Sequence, residues 1–167
     1  MSKILFLIGS DSDFPQIKDA LEILDDFGVD YEIEVTSAHR TPQRTLNIVK
    51  KAEEEGVQII IAGAGGSAHL AGVVASHTLI PVIGVPMESS ISGLDSLLST
   101  VQMPKGVPVA TMGIGKSGAS NAALFAVEVL SLQDENLKQK LQKYRENLEI
   151  EVEKKSENLK KLVKGNK

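Results

Sequence analysis

The chain has 167 residues, of which 42% are hydrophobic and 24% charged, enough apolar material for one packed domain and too much for a disordered chain. Its net charge of −4 argues against a nucleic-acid partner, and its lack of cysteine excludes disulfides, thiolate catalysis, iron–sulfur clusters and Cys-based zinc sites. No apolar run approaches the ~18 residues of a membrane span. The opening MSKILFLIGS lacks the length and cleavage pattern of a signal peptide, so a cytoplasmic protein is expected.

Residues 4–8 are a continuous apolar run, as in a strand buried on both faces. Phe14, Ile17, Leu21, Leu24 and Phe27 then recur at helical spacing, and Gly28 stops the helix. Tyr31, Ile33 and Val35 alternate with Glu32, Glu34 and Thr36, the pattern of a half-exposed strand. Pro42 starts a helix carrying Leu46, Val49 and Ala52 and ending before Gly56. Val57 to Ala62 is the third strand; the glycine-rich GAGGSAH and a short helix to about His77 follow it. Strands are also expected at Pro81–Val85 and Val107–Thr111, with helices near Gly93–Val101 and Ser117–Leu130.

This alternation predicts an α/β domain with a parallel sheet between two helical layers, in the flavodoxin-like order 2-1-3-4-5. The domain is expected over residues 1–133, with a long C-terminal helix over 134–167. That helix carries Leu137, Leu141, Tyr144, Leu148 and Val152 in a stripe that Leu159 and Leu162 resume. Roughly 30 residues would reach about 45 Å, longer than a small domain needs, so its far end is expected on a neighbouring subunit. The body carries −7 and the tail +3, so an anionic ligand on the body needs an Arg or backbone N–H groups.

In such a sheet, ligands bind beyond the carboxyl ends of the strands where the order reverses. The loops that meet there read GSDSDF (9–14), TSAHRTP (36–42) and GAGGSAHLAG (63–72), and they hold two of the three histidines. Ser10 and Ser12 offer hydroxyls. Asp13 is placed either to cap the following helix or to accept from a sugar hydroxyl, since a carboxylate repels phosphate. Arg40 is the natural bidentate phosphate partner. His39 beside it has a side chain suited to proton transfer near neutrality. Gly63, Gly65 and Gly66 let backbone N–H groups approach a ligand closely. His69 reads equally as an acid–base group, a substrate contact or a helix-start residue bonded to backbone; His77 reads as structural or interfacial. Lys116 could meet ligand or pair with an acid. The histidines lie in separate segments with no HExxH, so no metal site is expected. A Walker loop, a GxSxG elbow and a receiver-type aspartate after the third strand are also missing.

The succession GSDSD, SAHRTP, AGAGGSAHLAG, GVPM and LDSLLSTVQMPKGVPVATMGIGKSGASNAA resembles the PurE family of N5-carboxyaminoimidazole ribonucleotide mutases over roughly residues 3–131. The resemblance implies a three-layer α/β fold, a homo-octamer and a reaction in purine biosynthesis. In that reaction a carboxylate moves from the exocyclic N5 of an aminoimidazole nucleotide to C4, through trapped carbon dioxide and without ATP, metal or organic cofactor. Carried onto this chain, Ser10, Asp13, Ser37 and Arg40 would bind the ribose phosphate, and His39 would be the general acid–base. Gly65, Gly66, Ser67, His69 and Leu70 would hold the carboxylate or carbon dioxide. The family commonly has alanine at 67 and proline at 71, where this chain has Ser67 and Ala71, changes that remove no reactive group. The alternatives are a direct aminoimidazole ribonucleotide carboxylase and a non-catalytic mononucleotide-binding module.

Overall fold

The computed structural model describes residues 3–165. Five parallel strands form one sheet in the order β2-β1-β3-β4-β5, as the alternation of elements predicts. They are β1 (Ile4–Ile8), β2 (Tyr31–Val35), β3 (Ile59–Ala64), β4 (Val82–Pro86) and β5 (Ala110–Thr111). The helices are α1 (Phe14–Phe27), α2 (Pro42–Glu54), α3 (Leu70–Ala75), α4 (Leu94–Val101), α5 (Gly115–Ser131) and α6 (Glu135–Gly165). Two compact units divide the chain, one running to Val127 and the other starting at Glu128.

Within the first unit, β1 and β4 are buried along their whole length. Side chains alternate across a strand, so each contributes to both faces of the sheet. Leu5, Leu7, Ile60, Ala62 and Val82 face one way and pack with Val49 and Ala52 of α2 and Leu70, Ala71 and Val74 of α3. Ile4, Phe6, Ile8, Ile59 and Ile61 are equally buried and point to the opposite face. Burying each such side chain contributes about 1.5–3 kcal/mol. Gly28 ends α1 with φ +69°, a conformation glycine adopts without steric cost.

Several elements differ from the sequence expectation, and three of the differences have a clear physical cause. The third strand runs two residues later than Val57–Ala62, because Val57 and Gln58 still approach the sheet and the ladder continues through Gly63 and Ala64. The buried stripe of α2 uses Thr45, Val49 and Ala52 rather than Leu46. Thr45 is tolerated inside because its hydroxyl bonds Thr36 Oγ1 at 2.8 Å. The fifth strand has only two ladder residues instead of Val107–Thr111. Pro108 has no N–H to give, and Gly106 turns the chain there with φ +104°.

In the second unit, Asp134 starts α6 by accepting from the N–H groups of Asn136 and Leu137, both at 3.1 Å. Leu137 and Leu141 are buried, whereas every residue from 145 to 163 is exposed. No helix among the described residues is long and apolar enough to cross a membrane.

Candidate active site

The register places the loops. Ile8 pairs with both Val35 and Gly63, so β1, β2 and β3 end level with one another. Adjacent strands lie about 4.8 Å apart, which brings all three following loops within reach of one small molecule. They enclose a cavity of about 380 Å³.

The first loop contributes Gly9, Ser10 and Asp13. Ser10 caps a single 3-10 turn over residues 11–13, its Oγ accepting from the Ser12 N–H at 3.3 Å. Asp13 precedes α1 but makes no side-chain capping bond, so the helix does not consume its carboxylate. Burial raises the Asp13 pKa above the ordinary aspartate value; a backbone hydrogen bond from Ser10 opposes this, and the nearby Asp11 charge adds to it.

The second loop contributes Ser37, Ala38, His39 and Arg40. Hydroxyls hold it in shape. Thr41 Oγ1 accepts from the Ser37 N–H at 3.0 Å, and Ser37 Oγ accepts from the Arg40 N–H at 3.2 Å. Arg40 reaches across to the first loop, its Nη2 donating to the Gly9 carbonyl at 3.3 Å.

The third loop contributes Ala64, Gly65, Ser67, His69 and Leu70. His69 does not bond backbone with its ring. Its Nδ1 lies 2.9 Å from His39 Nε2, with the rings edge to face at 84°. One of these nitrogens must donate and the other accept, so the contact accommodates a single proton between them. Ser12 and Gly63 do not line the cavity, and neither does Gly66. It has φ +62°, and its N–H donates to Ser89 Oγ at 3.2 Å. His77 and Lys116 are both exposed and lie outside the cavity lining.

Sequence reasoning did not anticipate that Asp95 supports the third loop through Ser89. Ser89 Oγ donates to the Asp95 carboxylate at 2.8 Å, and Ser96 and Thr100 of α4 are fully buried. A signal was present in LDSLLST: Ser96 and Thr100 turn inward while Leu94 and Leu98 face out, the reverse of ordinary amphipathicity.

Residues 3–151 match the AIR carboxylase family. The N5-carboxyaminoimidazole ribonucleotide mutase of Pyrococcus abyssi is 58% identical over 149 residues, which is 89% of this chain and 84% of that protein. This chain belongs to the AIR carboxylase family. Its family relative of the same name from Thermotoga maritima is 50% identical over 97% of this chain and 94% of that protein. Among solved structures of AIR carboxylase relatives, the PurE of Treponema denticola superposes with a TM-score of 0.83 at 30% identity, covering 92% of this chain and 96% of the other.

Proposed function

We propose that this protein is an N5-carboxyaminoimidazole ribonucleotide mutase of purine biosynthesis. Relatives from Pyrococcus abyssi and Thermotoga maritima bear that name. The observation that carries the reading is the pair of imidazoles 2.9 Å apart in a cavity that also offers an arginine, a serine-rich turn and a glycine-rich turn. Arg40, Ser10 and Ser37 take the phosphate, Asp13 a ribose hydroxyl, and the turn with Gly65, Ser67, His69 and Leu70 the carboxylate.

His39 donates a proton to N5. The N5–carboxyl bond breaks, its electron pair stays on nitrogen and carbon dioxide is released inside the cavity. C4, electron-rich in the aminoimidazole, attacks the carbon, and His39 takes the C4 proton to restore aromaticity. One residue thus gives and recovers one proton, and the sequence needs no ATP, redox partner or metal. Such acid–base assistance contributes about 10²–10⁴-fold, and retaining carbon dioxide beside C4 adds a proximity advantage. His69 Nδ1, bonded to His39 Nε2, orients that ring. The protein acts in the cytoplasm as a homo-octamer, with the exposed far half of α6 covering a neighbouring subunit.

The deciding experiment offers freshly prepared N5-carboxyaminoimidazole ribonucleotide to purified protein, with chelator present and ATP absent. Rapid formation of the C4-carboxylated product is expected. Folded protein that leaves this substrate unchanged but carboxylates aminoimidazole ribonucleotide with carbon dioxide is a direct carboxylase. Binding without turnover of either substrate identifies a mononucleotide-binding module.

A further inference from the structure

The glycine-rich turn has little side-chain packing of its own to fix it. Gly65 and Gly66 carry no side chain, and Gly66 holds φ +62°, so the backbone there loses much freedom when it adopts one shape. The restraint comes from the segment after β4 and from α4. Gly66 N–H donates to Ser89 Oγ at 3.2 Å. Ser89 Oγ in turn donates to the two Asp95 carboxylate oxygens at 2.9 and 2.8 Å. A carboxylate only accepts. It therefore claims the one serine proton and leaves the lone pairs of Ser89 facing the Gly66 N–H. Ser89 is itself half-buried, so its hydroxyl is not freely reoriented by water.

We infer that Asp95 and Ser89 are positioning residues for the reaction: through Gly66 they fix the turn that carries His69 to His39. Neither lines the cavity. Their effect passes along one chain, Asp95 to Ser89 to Gly66, and reaches the imidazole pair three residues further on. The catalytic consequence rests on the mutase reading; the geometric one does not.

The test uses the full chain. Ser89→Ala and Asp95→Ala are expected to lower kcat on N5-carboxyaminoimidazole ribonucleotide by about 10- to 100-fold, with KM moving less than about threefold. Ser89→Thr keeps the hydroxyl and is expected to retain most of the turnover. The double alanine variant is expected to lose no more than the worse single variant, since both act through one hydrogen-bonded chain. Imidazole ¹⁵N NMR supplies a readout that needs no turnover: in both single variants the His69 Nδ1 resonance, which reports the bond to His39, is expected to shift. Should Asp95→Ala fail to fold, Asp95→Asn replaces it with the same expected outcomes, because its amide can donate to Ser89 and release the hydroxyl. An unmoved His69 signal in folded variants would overturn the inference. So would losses that multiply in the double variant, or a loss carried by KM alone.

Discussion

Two imidazoles that share one proton make His39 and His69 unequal partners, and substitution separates their roles from that of Arg40. His39→Ala is expected to cut turnover by about 10²–10⁴-fold, with nucleotide affinity retained in a binding titration. Arg40→Ala is expected to do the reverse, weakening affinity by about 1.5–3 kcal/mol, the range for a hydrogen bond to a charged group. Asp13 gives a pH-dependent expectation. Its folded-state pKa is raised by burial, so the folded protein holds this proton more tightly than the unfolded chain. Stability from this group is therefore highest in acid and falls as pH rises from the unfolded pKa through the raised one. Asp13→Asn is expected to raise the melting temperature at neutral pH, with the gain shrinking towards acid, and to weaken ribose binding. A gain that is the same at acid and neutral pH would contradict this. That these residues meet at one cavity was legible in the sequence, because each sits in a loop following a strand that the topology brings to the crevice. Asp95 was not. Its importance lies in a contact with Ser89, whose own partner Gly66 is 23 positions earlier in the chain, and no local pattern records such a chain of bonds.

The elements were readable wherever periodicity and punctuation agreed. β1 and β2 begin and end where apolar runs and alternation place them, and α1 stops at Gly28. β5 was over-read because Val107 and Val109 suit a strand by composition while Pro108 between them has no N–H for a ladder. The start of α5 depends on a contact of another kind. A Cβ on Gly118 would fall 1.7 Å from the Gly113 carbonyl oxygen, which is backbone and cannot swing aside. Gly118→Ala is therefore expected to cost about 3 kcal/mol or more. Gly56, at φ +76° with open space around it, is the control. Gly56→Ala should cost only the left-handed strain of about 1–2 kcal/mol. Comparing the two denaturation midpoints isolates the steric part, and equal losses would refute it.

At the scale of the molecule, several helices leave large apolar side chains in the open. Leu94, Leu98 and Val101 on the outer side of α4 are each about half exposed, and α6 leaves Leu148, Val152, Leu159 and Leu162 in the open. Large contiguous apolar surfaces on a soluble chain mark places of association. Removing residues 150–167 is expected to reduce the number of copies per assembly, taken from the light-scattering mass divided by the truncated chain mass; an unchanged number would show that the far half of α6 covers no neighbour. How those copies meet is constrained by the borders of the sheet. On one side β5 offers two ladder residues behind a proline. On the other, β2 carries Glu32 and Glu34 in ion pairs with Lys51 and Arg44 of α2. Short, proline-flanked and charged margins resist the templated strand addition by which β-rich chains polymerise into fibrils. The backbone of the sheet is therefore closed to runaway growth at both borders, which leaves helix faces as the surfaces a second copy would have to use.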